Sequence, residues 1–329
     1  MIPRREFITL LGGAAAGWPL AARAQQRERR LAVFLTGDDT DAENQARLKA
    51  LVRGLQQLGW TDGRNVRIDI RWIASGSRRT QEIIDEFAAL VPDVAVVSGS
   101  VATAAIKRAT SSIPVVFVLV SEPDTQGFVA SLARPGGNIT GFTSMDFSVI
   151  GKSVELLKTM VPALTQIGLL FNPDDYPLYD SYLRRFQAEP GRPVEVVRAA
   201  VRSPAEIDPV IDTIATRSGR GLVVLPDGGF TVTHRAAIQA AVDRHGLSSI
   251  TPWRQFVAEG ALMSYGPDSI DIYRRSADYV DRILKGARPA ELPVQKPVKF
   301  DLVINRKTAT RLGHDIPPML LAIADEVIE

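Results

Sequence analysis

Two hydrophobic patterns alternate along the chain. Short unbroken apolar runs, such as Leu31 to Leu35, Val94 to Val97, Val115 to Val120 and Gly221 to Leu225, stop abruptly at small or polar residues. Runs of this kind, rich in Val, Ile and Leu, suit strands of a parallel sheet buried on both faces. Between them lie stretches with apolar residues three and four apart. Leu48, Leu51, Leu55 and Leu58 form one stripe, which predicts a helix from about Asp41 to Leu58, ended by Gly59. Thr80 to Leu90 reads as another helix, with Ile83, Ile84, Phe87 and Leu90 inward. Val66, Ile68 and Ile70 alternate with Arg67, Asp69 and Arg71, the mark of an edge strand with one wetter face. Strand alternating with helix predicts a doubly wound parallel sheet.

Pro123 to Gly141 interrupts this rhythm with two prolines and four glycines, and the first crossing between two domains is expected there. The pattern then restarts. Strands are predicted at 139–143, 166–171, 194–201, 221–225 and 249–251, with helices at 151–160, 178–188, 204–215 and 231–244 between them. Two further pieces follow: a short strand at 261–265 leading into a long helix at 268–284, then a proline-punctuated connector, a strand at 299–304 and a closing helix. The architecture expected is α/β, with two Rossmann-like lobes and a chain that crosses back between them. The glycine-rich stretch 136–141 and the turn Tyr265-Gly266-Pro267 are the candidate hinges.

The first 24 residues stand apart. Arg4-Arg5 precede a mostly apolar stretch from Phe7 to Leu20, and Ala22-Arg23-Ala24 has the small-x-small form of a cleavage site. This is the three-part layout of an export signal, too short in its apolar core to span a bilayer stably. Arg4-Arg5-Glu6-Phe7-Ile8 resembles a twin-arginine signal, with the general secretory route as the alternative. The expected location is the periplasm. Setting residues 1–24 aside takes Lys+Arg from 39 to 36 and Asp+Glu from 37 to 36, so the remaining chain is formally neutral and offers no charge surplus for nucleic acid. No cysteine is present, which excludes disulfides, thiolate ligands and cysteine nucleophiles, and predicts a soluble protein without a lipid anchor at the cleavage site.

Motifs for catalysis fail in turn. Gly151-Lys152-Ser153 has Asp146 where a phosphate loop needs its first glycine. No serine sits in a G-x-S-x-G elbow, and His234, His245 and His314 lack the spacing of a helical metal pair. Neither a cofactor, a metal nor an enzymatic activity is expected. What remains are small, polar and aromatic residues at strand ends, where α/β sheets bind ligands. The candidate ligand-binding residues are Thr36, Gly37, Ser98, Gly99, Ser100, Thr103, Ser121, Glu122, Asn172, Tyr176, Asp227, Trp253 and Tyr265. Ser100 reads as the N-cap of the helix after the third strand. Its free backbone N–H groups would hold a carboxylate, with Asp227 or Glu122 free to take an amino group.

Four segments carry a family resemblance: Arg134-Pro135-Gly136-Gly137-Asn138-Ile139-Thr140-Gly141, Gly260-Ala261-Leu262-Met263-Ser264-Tyr265-Gly266, Arg282-Ile283-Leu284-Lys285-Gly286 and Ala324-Asp325-Glu326-Val327-Ile328. Together they resemble ABC transporter substrate-binding proteins of the tryptophan/tyrosine-binding type, with the periplasmic binding protein type I fold. The resemblance implies two lobes, 31–123 plus 261–290 and 124–260 plus 291–329, joined by a three-segment hinge. It also implies a ligand in the cleft between the lobes and a membrane permease as partner, without fixing the ligand; a small organic solute, an amino acid or an aromatic carboxylate, and a monomeric protein are expected. A secreted α/β enzyme and a ligand-sensing domain without a transport role remain the alternatives.

Overall fold

The computed structural model describes residues 28–73, 82, 85–87, 89–188, 194–216, 219–227 and 229–329. Residues 1–24, where an export signal is expected, and residues 80, 81, 83, 84 and 88 of the helix expected at 80–90 lie outside the described residues; Phe87 and Leu90 are buried.

Two parallel sheets organise the chain. The first has five strands in the order β2-β1-β3-β4-β5, with β1 Arg29–Thr36, β2 Val66–Ile73, β3 Val94–Ser98, β4 Val115–Val120 and β5 Ile139–Thr143. The alternating strand β2 does lie at its edge. The second sheet has seven strands in the order β12-β11-β10-β9-β8-β6-β7. These are β6 Gln166–Phe171, β7 Glu195–Ala200, β8 Arg220–Val224, β9 Ser248–Thr251, β10 Met263–Pro267, β11 Phe300–Asn305 and β12 Glu326–Ile328. Among the described residues of this sheet, only the pairing of β10 with β11 is antiparallel. The final strand β12 was not anticipated; it follows the short helix Pro318–Ile323 and pairs with β11.

Helix α1 (Ala42–Gln57) packs against the long α9 (Ser269–Leu284) over the first sheet. α2 is Ser100–Ala109 and α3 is Phe147–Met160. In the second lobe follow α4 Leu178–Ala188, α5 Pro204–Ala215, α6 Phe230–Thr233, α7 Arg235–Arg244 and α8 Arg254–Ala258. The helix expected over 231–244 is therefore two, broken at His234. Each sheet buries apolar clusters on both faces, with Leu31, Val33, Val94 and Val96 on one face of the first and Ala32, Phe34, Ala95 and Val97 on the other. That is why these strands read as continuous apolar runs.

Strand pairing moves three of the expected lobe boundaries. Ile139–Thr143 does not open the second lobe; it pairs with β4 and closes the first sheet. Residues 263–267 belong to the second sheet beside β9, and only at Asp268 does the chain return to the first lobe. Residues 292–295 stay with the first lobe: Leu292 joins its core, Thr140 donates to the Leu292 carbonyl, and Gln295 bonds both ways with β5. The crossings are therefore 144–146, Asp268 and 296–299. A local hydrophobic pattern cannot tell which sheet a strand joins, because pairing is non-local.

One glycine in each of the two candidate hinges marks a close approach of backbones. A Cβ on Gly141 would stand 2.0 Å from the Phe117 carbonyl oxygen, and one on Gly266 would stand 1.9 Å from that of Pro252. These glycines let neighbouring backbones meet.

Candidate functional site

The carboxyl ends of the first sheet face those of the second across a cleft. β3 ends at Ser98, and Gly99 turns the chain with φ 81° and ψ 161°, a conformation that suits glycine. Gly99, not Ser100, is therefore the N-cap of α2, and Ser100 is its first helical residue. The Thr103 hydroxyl donates back to the Gly99 carbonyl at 2.8 Å, and Thr36 donates to the Ser98 carbonyl at 2.9 Å. Gln126 bridges the neighbouring loops, donating to Ser100 Oγ at 2.9 Å and to the Ser121 carbonyl at 2.5 Å. Ser121 Oγ lies 2.7 Å from Ser144 Oγ on the first crossing. The loops are thus held rigid by their own hydroxyls, while the first-turn N–H groups of α2 have no partner inside the helix.

β4 carries a surprise. The register slips between Val118 and Val120, and Leu119 sits at φ 56°. This bulge turns Leu119 out of the strand alternation, so that it packs against the cores of both lobes.

From the second lobe comes Asp227, fully buried after β8. Its Oδ2 accepts from the Asn172 N–H at 2.8 Å, and its Oδ1 from the N–H and hydroxyl of Thr231, both at 3.0 Å. Burial still pushes its carboxyl up to about 6, against the lowering pull of those donors. Asp227 ties the β6 and β8 loops together, so most of its accepting capacity is already used. Tyr176 is buried too, and its hydroxyl reaches across to the Ser121 carbonyl at 3.2 Å.

Trp253, at the end of β9, meets Arg47 from α1. The guanidinium carbon lies 5.5 Å from the indole ring centroid, a cation–π contact across the cleft. Arg47 also donates to Ser269 Oγ at 2.9 Å and to Asn44 Oδ1 at 3.1 Å, with Glu43 at 3.5 Å. These walls enclose a cavity of about 50 Å³, lined by Thr36, Ser98, Gly99, Ser100 and Ser121 on one side and Asp227 and Trp253 on the other. Arg47, Leu119, Pro226, Gly229 and Val232 also line it.

Seven of the thirteen candidates therefore converge on one cavity. Thr103, Asn172 and Tyr176 support it from behind. Gly37 lies at the cleft mouth, beside an ion pair that joins the lobes, Arg235 Nη2 to Asp41 Oδ2 at 2.9 Å. Glu122 and Tyr265 fall elsewhere. They line a separate cavity of about 380 Å³ next to the crossings, with Asp146, Lys152 and Lys296. There Tyr265 stacks on Phe300 at 5.7 Å, and burial, with Asp124 and Asp146 nearby, raises the Glu122 carboxyl. Arg47 was missed, although its position was readable: 47, 51 and 55 share a helix face, so an arginine continues the buried leucine stripe. Among the described residues, no group of three or more His, Asp or Glu is placed to hold a metal, and no helix is long and apolar enough to cross a membrane.

Comparison with known proteins agrees with this architecture. A tyrosine-binding protein of Clostridioides difficile (strain R20291) is 24% identical over 264 residues, 80% of this chain and 75% of that protein. An ABC domain from Streptococcus pneumoniae solved in complex with L-Trp superimposes with a TM-score of 0.83 at 24% identity, covering 92% of this chain and 100% of that one. A ligand-free, open substrate-binding protein with adhesive properties from Clostridium difficile gives 0.67 at 22% identity, covering 91% and 99%. The two-lobed fold is similar to periplasmic binding protein type I structures. The sequence pattern of one family, described as ABC transporter substrate binding protein, matches residues 31–328, and the chain belongs to that family.

Proposed function

We propose that this protein binds a small carboxylate-bearing solute, an aromatic amino acid or a close analogue, between its lobes and hands it to an ABC importer permease outside the cytoplasm. The observation that carries the reading is the cavity where α2's N-terminus and the Ser98–Ser100 loop face Trp253 across the cleft. As a member of its family the protein is a solute-binding protein, not an enzyme. The relatives that bind tyrosine and tryptophan support the aromatic class. The first-turn N–H groups of α2 and its dipole favour a carboxylate. Residues 1–24 would direct export, and the protein would work as a monomer.

A solute that touches both lobes binds the closed arrangement better and shifts the population toward it. Calorimetry with L-tryptophan and L-tyrosine, beside their primary amides, tests the solute class. Binding of the acids and a loss of about tenfold or more for the amides is expected. Small-angle scattering should show a smaller radius of gyration with the bound acid. Equal affinity for acid and amide would refute the carboxylate placement, and no binding by either acid would refute the aromatic amino acid reading.

A further inference from the structure

Trp253 is 7% exposed, and its indole Nε1–H is buried with no hydrogen-bond acceptor among the described residues. A buried donor left without a partner is costly, and native chains rarely tolerate one without a reason. This donor belongs to a residue in the wall of the inter-lobe cavity. It also has a cation behind it: Arg47 is 7% exposed and stands over the same ring. Of the five guanidinium N–H groups, Ser269, Asn44 and Glu43 account for three. The positive charge over the ring favours an anionic acceptor at the indole edge. Donors from both lobes line this one cavity. Asp227, the acid in this wall, already accepts three hydrogen bonds and leaves the balance of free groups on the donor side.

We propose that the Trp253 indole N–H, backed by Arg47, donates to the solute's carboxylate and forms the second-lobe half of an anion clamp whose first half is the N-terminus of α2. The inference rests on the carboxylate reading given above and adds a specificity-determining residue to it. Because the two halves lie on different lobes, one carboxylate would bridge them, and the group that gives affinity would also draw the lobes together.

The test is Trp253→Phe, which keeps an aromatic face for Arg47 and removes the N–H. L-tyrosine and L-tyrosinamide are titrated into wild type and variant by calorimetry. The variant is expected to lose at least tenfold in affinity for the acid and to lose little for the amide, so that the preference for acid over amide shrinks. The melting temperature of the solute-free protein should hold or rise, because a buried unpaired donor has been removed. As a measurement free of any substitution in the measured protein, the ¹⁵N–¹H resonance of the Trp253 indole, assigned by its absence in the variant, should move downfield when L-tyrosine saturates the wild type. An unchanged preference in the variant, with wild type still favouring the acid, overturns the clamp and leaves the carboxylate reading intact. Equal losses for acid and amide, or an unmoved indole resonance at saturation, overturn it too. No binding of L-tyrosine to wild type overturns the aromatic amino acid reading and the clamp together.

Discussion

Arg235→Ala should weaken the contact between the lobes by a predictable amount. Arg235 sits at the start of α7 in the second lobe, and its Nη2 lies 2.9 Å from Asp41 Oδ2 in the first. The Asp41 side chain is 7% exposed and that of Arg235 25%, so the pair is largely withdrawn from water. With an effective dielectric constant of about 20, the bare attraction at this separation is about 6 kcal/mol, most of it offset by desolvation. A hydrogen bond to a charged group nets about 1.5–3 kcal/mol. Loss of the partner leaves Asp41 compensated in part, since its Oδ1 caps α1 through the Asn44 N–H at 3.0 Å. A cost of about 1–2 kcal/mol follows, or about 5- to 30-fold in solute affinity, seen mainly as faster release. Arg235 also pairs with Glu259 within its own lobe at 2.6 Å, so the single variant mixes two effects. A double-mutant cycle with Asp41→Asn, which keeps the cap, isolates the contact between lobes. Calorimetry supplies the affinities and stopped-flow fluorescence the release rates. A coupling energy near zero, or a loss confined to the stability of the empty protein, would refute the idea that this pair holds the lobes closed.

Two further outcomes are expected. The Asp227 carboxyl titrates at about 6 when folded, against an ordinary value of 3.8, so the folded state holds its proton more tightly. Its contribution to stability is therefore greatest below pH 4 and falls as pH rises through 6; Asp227→Asn should flatten the slope of unfolding free energy over that window, and an unchanged slope in urea titrations would contradict the assignment. Gly266→Ala would drive a methyl group into the Pro252 carbonyl, and a loss of about 3 kcal/mol or more in unfolding free energy is expected; a variant as stable as wild type would show that the contact is not as close as described.

Much of the fold was readable because the strands are buried on both faces and therefore apolar throughout. The loops Ser98–Ser100 and Ser121, and Asp227 and Trp253 opposite them, line one cavity for a general reason that the sequence shows: they follow the carboxyl ends of strands, which in α/β sheets lie together. What escaped depended on distance in the chain. Ile139–Thr143 looked like a new beginning because a proline- and glycine-rich loop precedes it, yet its partner is β4. Glu122 follows directly on Ser121, but its backbone turns at φ 46° and sends it to the other cavity. The Leu119 bulge left no mark in an all-apolar run, since periodicity is silent where every position is hydrophobic. Arg47 was visible as a break in character on a buried stripe, although the ring that it covers lies more than two hundred residues away.

The way the first and third crossings begin has a mechanical meaning. Thr143 donates to the Gln295 carbonyl at 2.9 Å, and Gln295 returns a bond to Gly141 at 2.9 Å, so two of the three connectors leave the first lobe as a bonded ribbon. A ribbon of two strands resists shear in its own plane, because sliding would break both bonds, yet it bends readily about an axis lying in that plane. Two independent tethers would let the lobes twist and rock in any direction. Joined in this way they would confine any relative motion of the lobes to something near a single degree of freedom, a flexure rather than a ball joint, and opposing surfaces would return to the same registry whenever the lobes closed.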